Sequence, residues 1–180
     1  GEFDPETQRE LGLEIVRAFG YSDEEWRLDE TAHPFMTSPG AGDIRLTSNF
    51  RPHDLSSLFA TMHEFGHGVY EWGVDRSFAR TPLGTGVSLA VHESQSRTWE
   101  NLVGRSRPFW RWFYPRLQSA FDAQLGSVDE EAFYRAVTKV KPSLIRIDAD
   151  EVTYNLHIIL RFELEQDVVD DRIALSELPA

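Results

Sequence analysis

Two histidines four residues apart, with a glutamate after the first, constrain this chain more than any other feature: His63-Glu64-Phe65-Gly66-His67. On a helix that spacing puts both imidazoles on one face, within reach of a single ion, and Glu64 beside them. The bland alternative is two histidines satisfied on a polar helix face. Asp54 is placed to cap a helix running to about Trp72, Gly73 to Gly86 reads as a loop, and Ser88 to Leu102 returns to helical spacing before Gly104. Two helices are therefore expected to flank one loop.

A catalytic type of metal site needs a third protein ligand, and Glu93 stands in the second helical segment, in the run His92-Glu93-Ser94-Gln95-Ser96-Arg97. Glycines at 66, 68, 73, 84 and 86 permit close helix approach and a turn back, so an antiparallel helix pair would bring Glu93 to His63 and His67. With no cysteine in the chain, any metal must rely on imidazole and carboxylate. That donor set favours one zinc ion per chain, with cobalt or manganese as possible substitutes. Three protein ligands leave a fourth position for water, whose pKa zinc lowers to about 7. Glu64 would then accept the proton and deliver it to a departing amine, so peptide hydrolysis is the expected reaction. Glu100, seven residues beyond Glu93, either orients a ligand histidine as a supporting carboxylate or is a solvated, ion-paired glutamate.

The remainder reads as a single domain over residues 1–180 that is mainly α, a zincin-like helical core with a small β element. Asp4 as N-cap, Pro5 at the first helical position and Gly20 as terminator bound an amphipathic first helix. Tyr21 to Gly42 is expected to be a long irregular connection, and Asp43 to Thr47 is the best strand candidate. The aromatic run Phe109 to Tyr114, the segment Asp129 to Val140 and the segment Asp150 to Val169 can each be drawn as a helix with an apolar face. A net charge of -12 would repel phosphate backbones, so nucleic acid is not expected as a partner. With no apolar run of eighteen residues and no secretory start, a soluble protein is expected, with no membrane association and the cytoplasm favoured.

Four motifs in order give the chain a family resemblance: Asp43-Ile44-Arg45-Leu46-Thr47 as D-x-R-x-T, the H-E-x-x-H at 63–67, His92-Glu93-Ser94-Gln95, and Ile145-Arg146-Ile147-Asp148-Ala149-Asp150 as I/V-R-x-x-A-D. Over essentially its whole length it resembles the central catalytic region of the carboxypeptidase Taq metallocarboxypeptidases. The resemblance implies a helical fold with a small β element lining a groove, a homodimer, and removal of single residues from peptides with a free C-terminus. By carry-over, His63, His67 and Glu93 bind zinc and Glu64 is the general base. Arg146 is a candidate clamp for the terminal carboxylate, because a guanidinium pairs with it two-pronged. An ion pair to Asp148 or Asp150 is its rival role. Arg45 and Asp43 belong to a strand whose edge would hold substrate near the metal, with Arg45 orienting a carboxylate; a purely structural pair is the alternative. Tyr154 and His157 either line the groove or serve packing and capping. Family members are longer, with a helical portion before the region of Gly1 and a later G-x-x-Q-D-x-H-W segment; here Gln166-Asp167 is followed by Val168-Val169. The second expectation is therefore a weak or inactive zinc-binding module that serves peptide binding or dimerisation; the Phe109 to Tyr114 aromatics are expected to pack in the core or at an interface, not to stack on bases or sugars, and any left exposed would drive dimerisation.

Overall fold

The computed structural model describes residues 1–178, apart from the side chain of Asp148. It divides into two compact units, Gly1–Tyr134 and Arg135–Ala180. The first begins with α1 (Pro5–Ala18), whose start is fixed as its sequence suggests: Asp4 accepts a hydrogen bond from Thr7 N–H at 2.8 Å, and Pro5 occupies the first turn. Gly20, at φ 112°, ends it.

Strands β1 (Trp26–Glu30), β2 (Met36–Gly40) and β3 (Asp43–Ser48) form a sheet in the order β1-β3-β2. β3 runs parallel to β1, with Trp26 opposite Ile44, and antiparallel to β2, with Thr37 opposite Arg45. The expected irregular connection from Tyr21 to Gly42 is thus corrected, since it contains two strands. β1 buries only Trp26 and Leu28, and β2 (Met-Thr-Ser-Pro-Gly) has little β propensity of its own. Pairing with β3, whose Ile44, Leu46, Thr47 and Ser48 are buried, holds both in extended form.

Against the sheet lies α2 (Ser56–Trp72), carrying the paired histidines. The core between them gathers Leu13 and Val16 of α1, Trp26, Leu28, Ile44 and Leu46 of the sheet, and Phe65 of α2. Burial of these side chains, each contributing about 1.5–3 kcal/mol, fixes α2 on the sheet. Gly68 lets it settle there, since a Cβ at that position would stand 2.5 Å from the Trp26 ring.

After the loop and its short 3-10 turn at Arg76–Phe78 comes α3 (Leu89–Arg97), which continues without a break into a π-helical segment, Thr98–Val103. α4 (Arg107–Ala120), α5 (Asp122–Leu125) and α6 (Glu130–Val137) follow. Phe109, Trp110, Phe113 and Tyr114 of α4 are buried and Trp112 is half exposed, so of the two packing roles expected of the aromatic run these four side chains take the core one and do not offer a dimer surface. The second unit holds a 3-10 turn at Arg146–Asp148 and α7 (Thr153–Val169). Among the described residues no helix is long and apolar enough to cross a membrane.

Candidate metal centre

His63 and His67 lie one turn apart on α2, and Glu93 arrives from α3. One ligand-capable atom from each lies within 4.8 Å of the other two. His63 Nε2 is 3.6 Å and His67 Nε2 3.5 Å from the same oxygen, Glu93 Oε2. Donors about 2 Å from an ion at tetrahedral angles stand about 3.3 Å from one another, so this set fits a zinc-like ion. The closeness depends on Gly66: a Cβ there would be 2.5 Å from both Gln95 O and Ser96 Cα, so the α2 and α3 backbones meet where a side chain would part them.

Each histidine is held from behind. His63 Nδ1 lies 2.8 Å from Glu100 Oε2. An ionised carboxylate only accepts, so Nδ1 carries the proton and, in the neutral ring, Nε2 turns a lone pair toward Glu93. Glu100 comes from the π-helical segment and also takes Arg97 Nη1 at 2.9 Å, while Arg97 Nε donates to Glu93 Oε1 at 2.9 Å. His67 Nδ1 faces His92 Nδ1 at 3.1 Å, and His92 Nε2 reaches Glu71 Oε1 at 2.8 Å. Sequence reasoning had Glu100 in this role as one of two options, but it missed Glu71 and Arg97. Glu71 follows His67 by four residues, and that spacing was the available signal.

Burial and neighbouring charge set the protonation of the metal-free centre. Burial raises Glu64 to about 7; Glu93 and Glu100 add to this and His63 opposes it. Burial, then the neighbouring His63, lowers His67 to about 4. At His63 burial is again the largest influence and disfavours charge, but the Glu100 hydrogen bond and the surrounding carboxylates outweigh it and the pKa is raised. Glu93 and Glu100 are below the usual carboxylate range: burial pushes both up, and their histidine and arginine partners outweigh it.

The centre opens into a cleft of about 630 Å³, lined by Pro34 to Ser38 on one side and by Glu64, His67, Glu71, His92 and Glu93 on the other. Four glutamates surround the two histidines of α2. Glu71, Glu93 and Glu100 have the partners just given, whereas Glu64 makes no hydrogen bond or ion pair among the described residues and faces the cleft. Arg45 and Asp43 do not line it. They form a two-pronged pair at 2.8 and 2.9 Å on β3, the central strand, while the strand along the cleft is β2.

Arg146 belongs to the second unit, where its Nη1 donates to Tyr154 Oη at 2.9 Å. Asp150 is engaged instead with the N–H groups of Lys141, Val152 and Thr153, each at 2.9 Å. The Asp148 side chain, the other rival partner of Arg146, lies outside the described residues. His157 Nε2 is 2.8 Å from Ser143 O.

A helical core with two imidazoles from one helix and a carboxylate from the next, set over a cleft beside an unpaired glutamate, is that of a zincin-like metallopeptidase. The model of one such family, described as "Carboxypeptidase Taq (M32) metallopeptidase", matches residues 1–180, and the chain belongs to that family. It is 51% identical over 175 residues to thermostable carboxypeptidase 1 of Thermus thermophilus, a match covering 97% of this chain and 34% of that protein. With carboxypeptidase 1 of Bacillus subtilis it shares 40% identity over 179 residues, covering 99% and 36%. The crystal structure of the M32 carboxypeptidase from Deinococcus radiodurans R1 superposes with a TM-score of 0.95 at 50% identity, over 98% of this chain and 36% of that one. The chain spans about a third of the length of the curated relatives it matches.

Proposed function

We propose that this chain carries the chemistry of a zinc metallocarboxypeptidase that removes the C-terminal residue of peptides. The observation that carries the proposal is the unpaired Glu64 carboxylate in a peptide-sized cleft, beside three side chains spaced for one ion. His63, His67 and Glu93 would hold the metal. When bound, a zinc ion supplies Lewis acidity, polarising a carbonyl and acidifying water. Glu64, with no hydrogen-bond or ion-pair partner among the described residues to compete, accepts a proton from the attacking water and returns it to the departing amine. Glu100, accepting from His63 Nδ1, leaves Nε2 of that ring for the metal, and Arg97 bridges Glu93 and Glu100.

The free edge of β2 is suited to an extended peptide. Thr47 N–H donates to Phe35 O at 2.9 Å, and antiparallel alternation then turns the Met36 N–H and C=O away from β3. Five consecutive residues, 34–38, line the cleft, as a strand edge does and a strand face does not. A substrate backbone pairing there would be read through its amides with little regard to side chains. Arg146, whose Nη1 donates to Tyr154 Oη among the described residues, is the proposed clamp for the substrate's terminal carboxylate, because a guanidinium pairs with a carboxylate two-pronged.

Metal content and release of the C-terminal residue from a free-ended peptide, measured on the wild type and Glu64→Gln, test the proposal. Near one zinc per chain in both, with release falling about 10²-fold or more in the variant, is the expected result. Zinc in both with release from neither leaves a metal- and peptide-binding module in its place. A chain that takes up no zinc overturns both.

A further inference from the structure

We propose that His92 and Glu71 form a positioning chain that fixes the tautomer and ring angle of His67 and ties one wall of the cleft to the metal centre. The inference deepens the function proposed above and rests on His67 being a metal ligand.

The proton inventory is closed by the acceptors. Glu71 is a carboxylate and only accepts, so His92 Nε2, 2.8 Å away, carries a proton. A neutral His92 ring then presents a bare Nδ1, and the group facing it at 3.1 Å is His67 Nδ1. His67 therefore donates from Nδ1 and keeps a lone pair on Nε2, the atom that lies 3.5 Å from Glu93 Oε2 and the form a metal requires. His63 receives the same service from Glu100 without an intermediary. The two ligands thus differ in support, one backed by a carboxylate and the other by an imidazole that a carboxylate orients.

The chain is a built feature. The His92 and Glu71 side chains are 14% and 12% exposed, and the Tyr70 ring packs edge-on against His92 with centroids 4.7 Å apart. Glu71 also accepts the Gly86 N–H, 3.1 Å from each of its oxygens, so it holds the loop beside Thr85 and Leu89, which line the cleft. Gly86 has no room for a side chain, since a Cβ would stand 2.7 Å from the Tyr70 ring and 2.9 Å from His92 Nε2.

Two measurements test this on the whole chain. Zinc affinity by competition with a chromophoric chelator should fall about 10- to 100-fold in His92→Phe, the usual scale for losing a ligand's hydrogen-bond partner. His92→Asn, whose amide oxygen takes the place of Nδ1, should recover part of that loss. In the metal-free chain, long-range ¹H–¹⁵N correlation should show His67 protonated on Nδ1 and His92 on Nε2, a tautomer pair that simple packing would not impose. The inference is overturned if His92→Phe holds zinc as tightly as the wild type, which itself binds, or if His67 carries its proton on Nε2. A wild-type chain that binds no zinc overturns the metal centre and this inference together.

Discussion

The centre's side chains divide by what they touch. Glu100 never has to meet a metal to matter: its carboxylate, 2.8 Å from His63 Nδ1, orients the ring and raises its basicity. Glu100→Gln keeps the shape and removes the charge, and zinc affinity should fall about 10- to 100-fold. Isothermal titration with zinc would check this, and an unchanged affinity would leave Glu100 only its ion pairs with Arg97 and Arg105. His63, Glu64 and His67 were legible in the sequence because helical spacing alone places them. Glu93 was legible because a carboxylate in the next helical segment was the simplest third donor. Glu71 and Arg97 were not, because their meaning depends on which way α3 faces α2. Nothing in a linear pattern says that His92 would stand between His67 and Glu71.

Among the elements, the α2–α3 contact is the most exacting. Gly66→Ala should destabilise the chain by about 1–3 kcal/mol, the usual cost of overpacking, by pushing α3 and Glu93 off the α2 backbone. Chemical denaturation would show a lower midpoint, and zinc affinity should fall with it. In the second unit, Asp150 caps the start of α7 by accepting from Thr153 N–H and Oγ1 and from the Lys141 and Val152 amides, which lowers its pKa from 3.8 to about 2. Since the folded value is below the unfolded one, the stabilisation is complete above about pH 4 and disappears as pH falls toward 2. Carboxyl NMR should follow Asp150 titrating near 2, and Asp150→Asn should remove the corresponding acid sensitivity of α7; a titration near 3.8 would count against the cap. The helices were readable because caps and periodicity are local. β1 and β2 were not, because tertiary pairing with β3 supplies what their own residues lack.

For the whole molecule, the proposed carboxypeptidase activity separates from other peptidase activity by the substrate's end. Amidating the C-terminus of a peptide should abolish release, and Arg146→Met should raise KM for the free-ended form more than it lowers kcat; equal cleavage of amidated peptide would assign an endopeptidase. Exposed apolar side chains in the second unit, Leu144 at 99% and Ile147 at 73% among them, are the surface we propose for a homodimer, now that α4 has been found to bury its own aromatics. Light scattering should then give twice the chain mass, and a monomer at micromolar concentration would refute the dimer. Among the described residues, the three proposed metal ligands, the carboxylates behind the two histidines and the proposed base all lie between His63 and Glu100, on two helical segments joined by a single loop. Chemistry confined to one such stretch can be inherited as a cassette. Sequence outside it, the β2 edge and Arg146 included, then governs which peptide is presented and not how the ion is held, and transplanting the stretch into another scaffold should carry the metal site along, provided position 66 stays glycine.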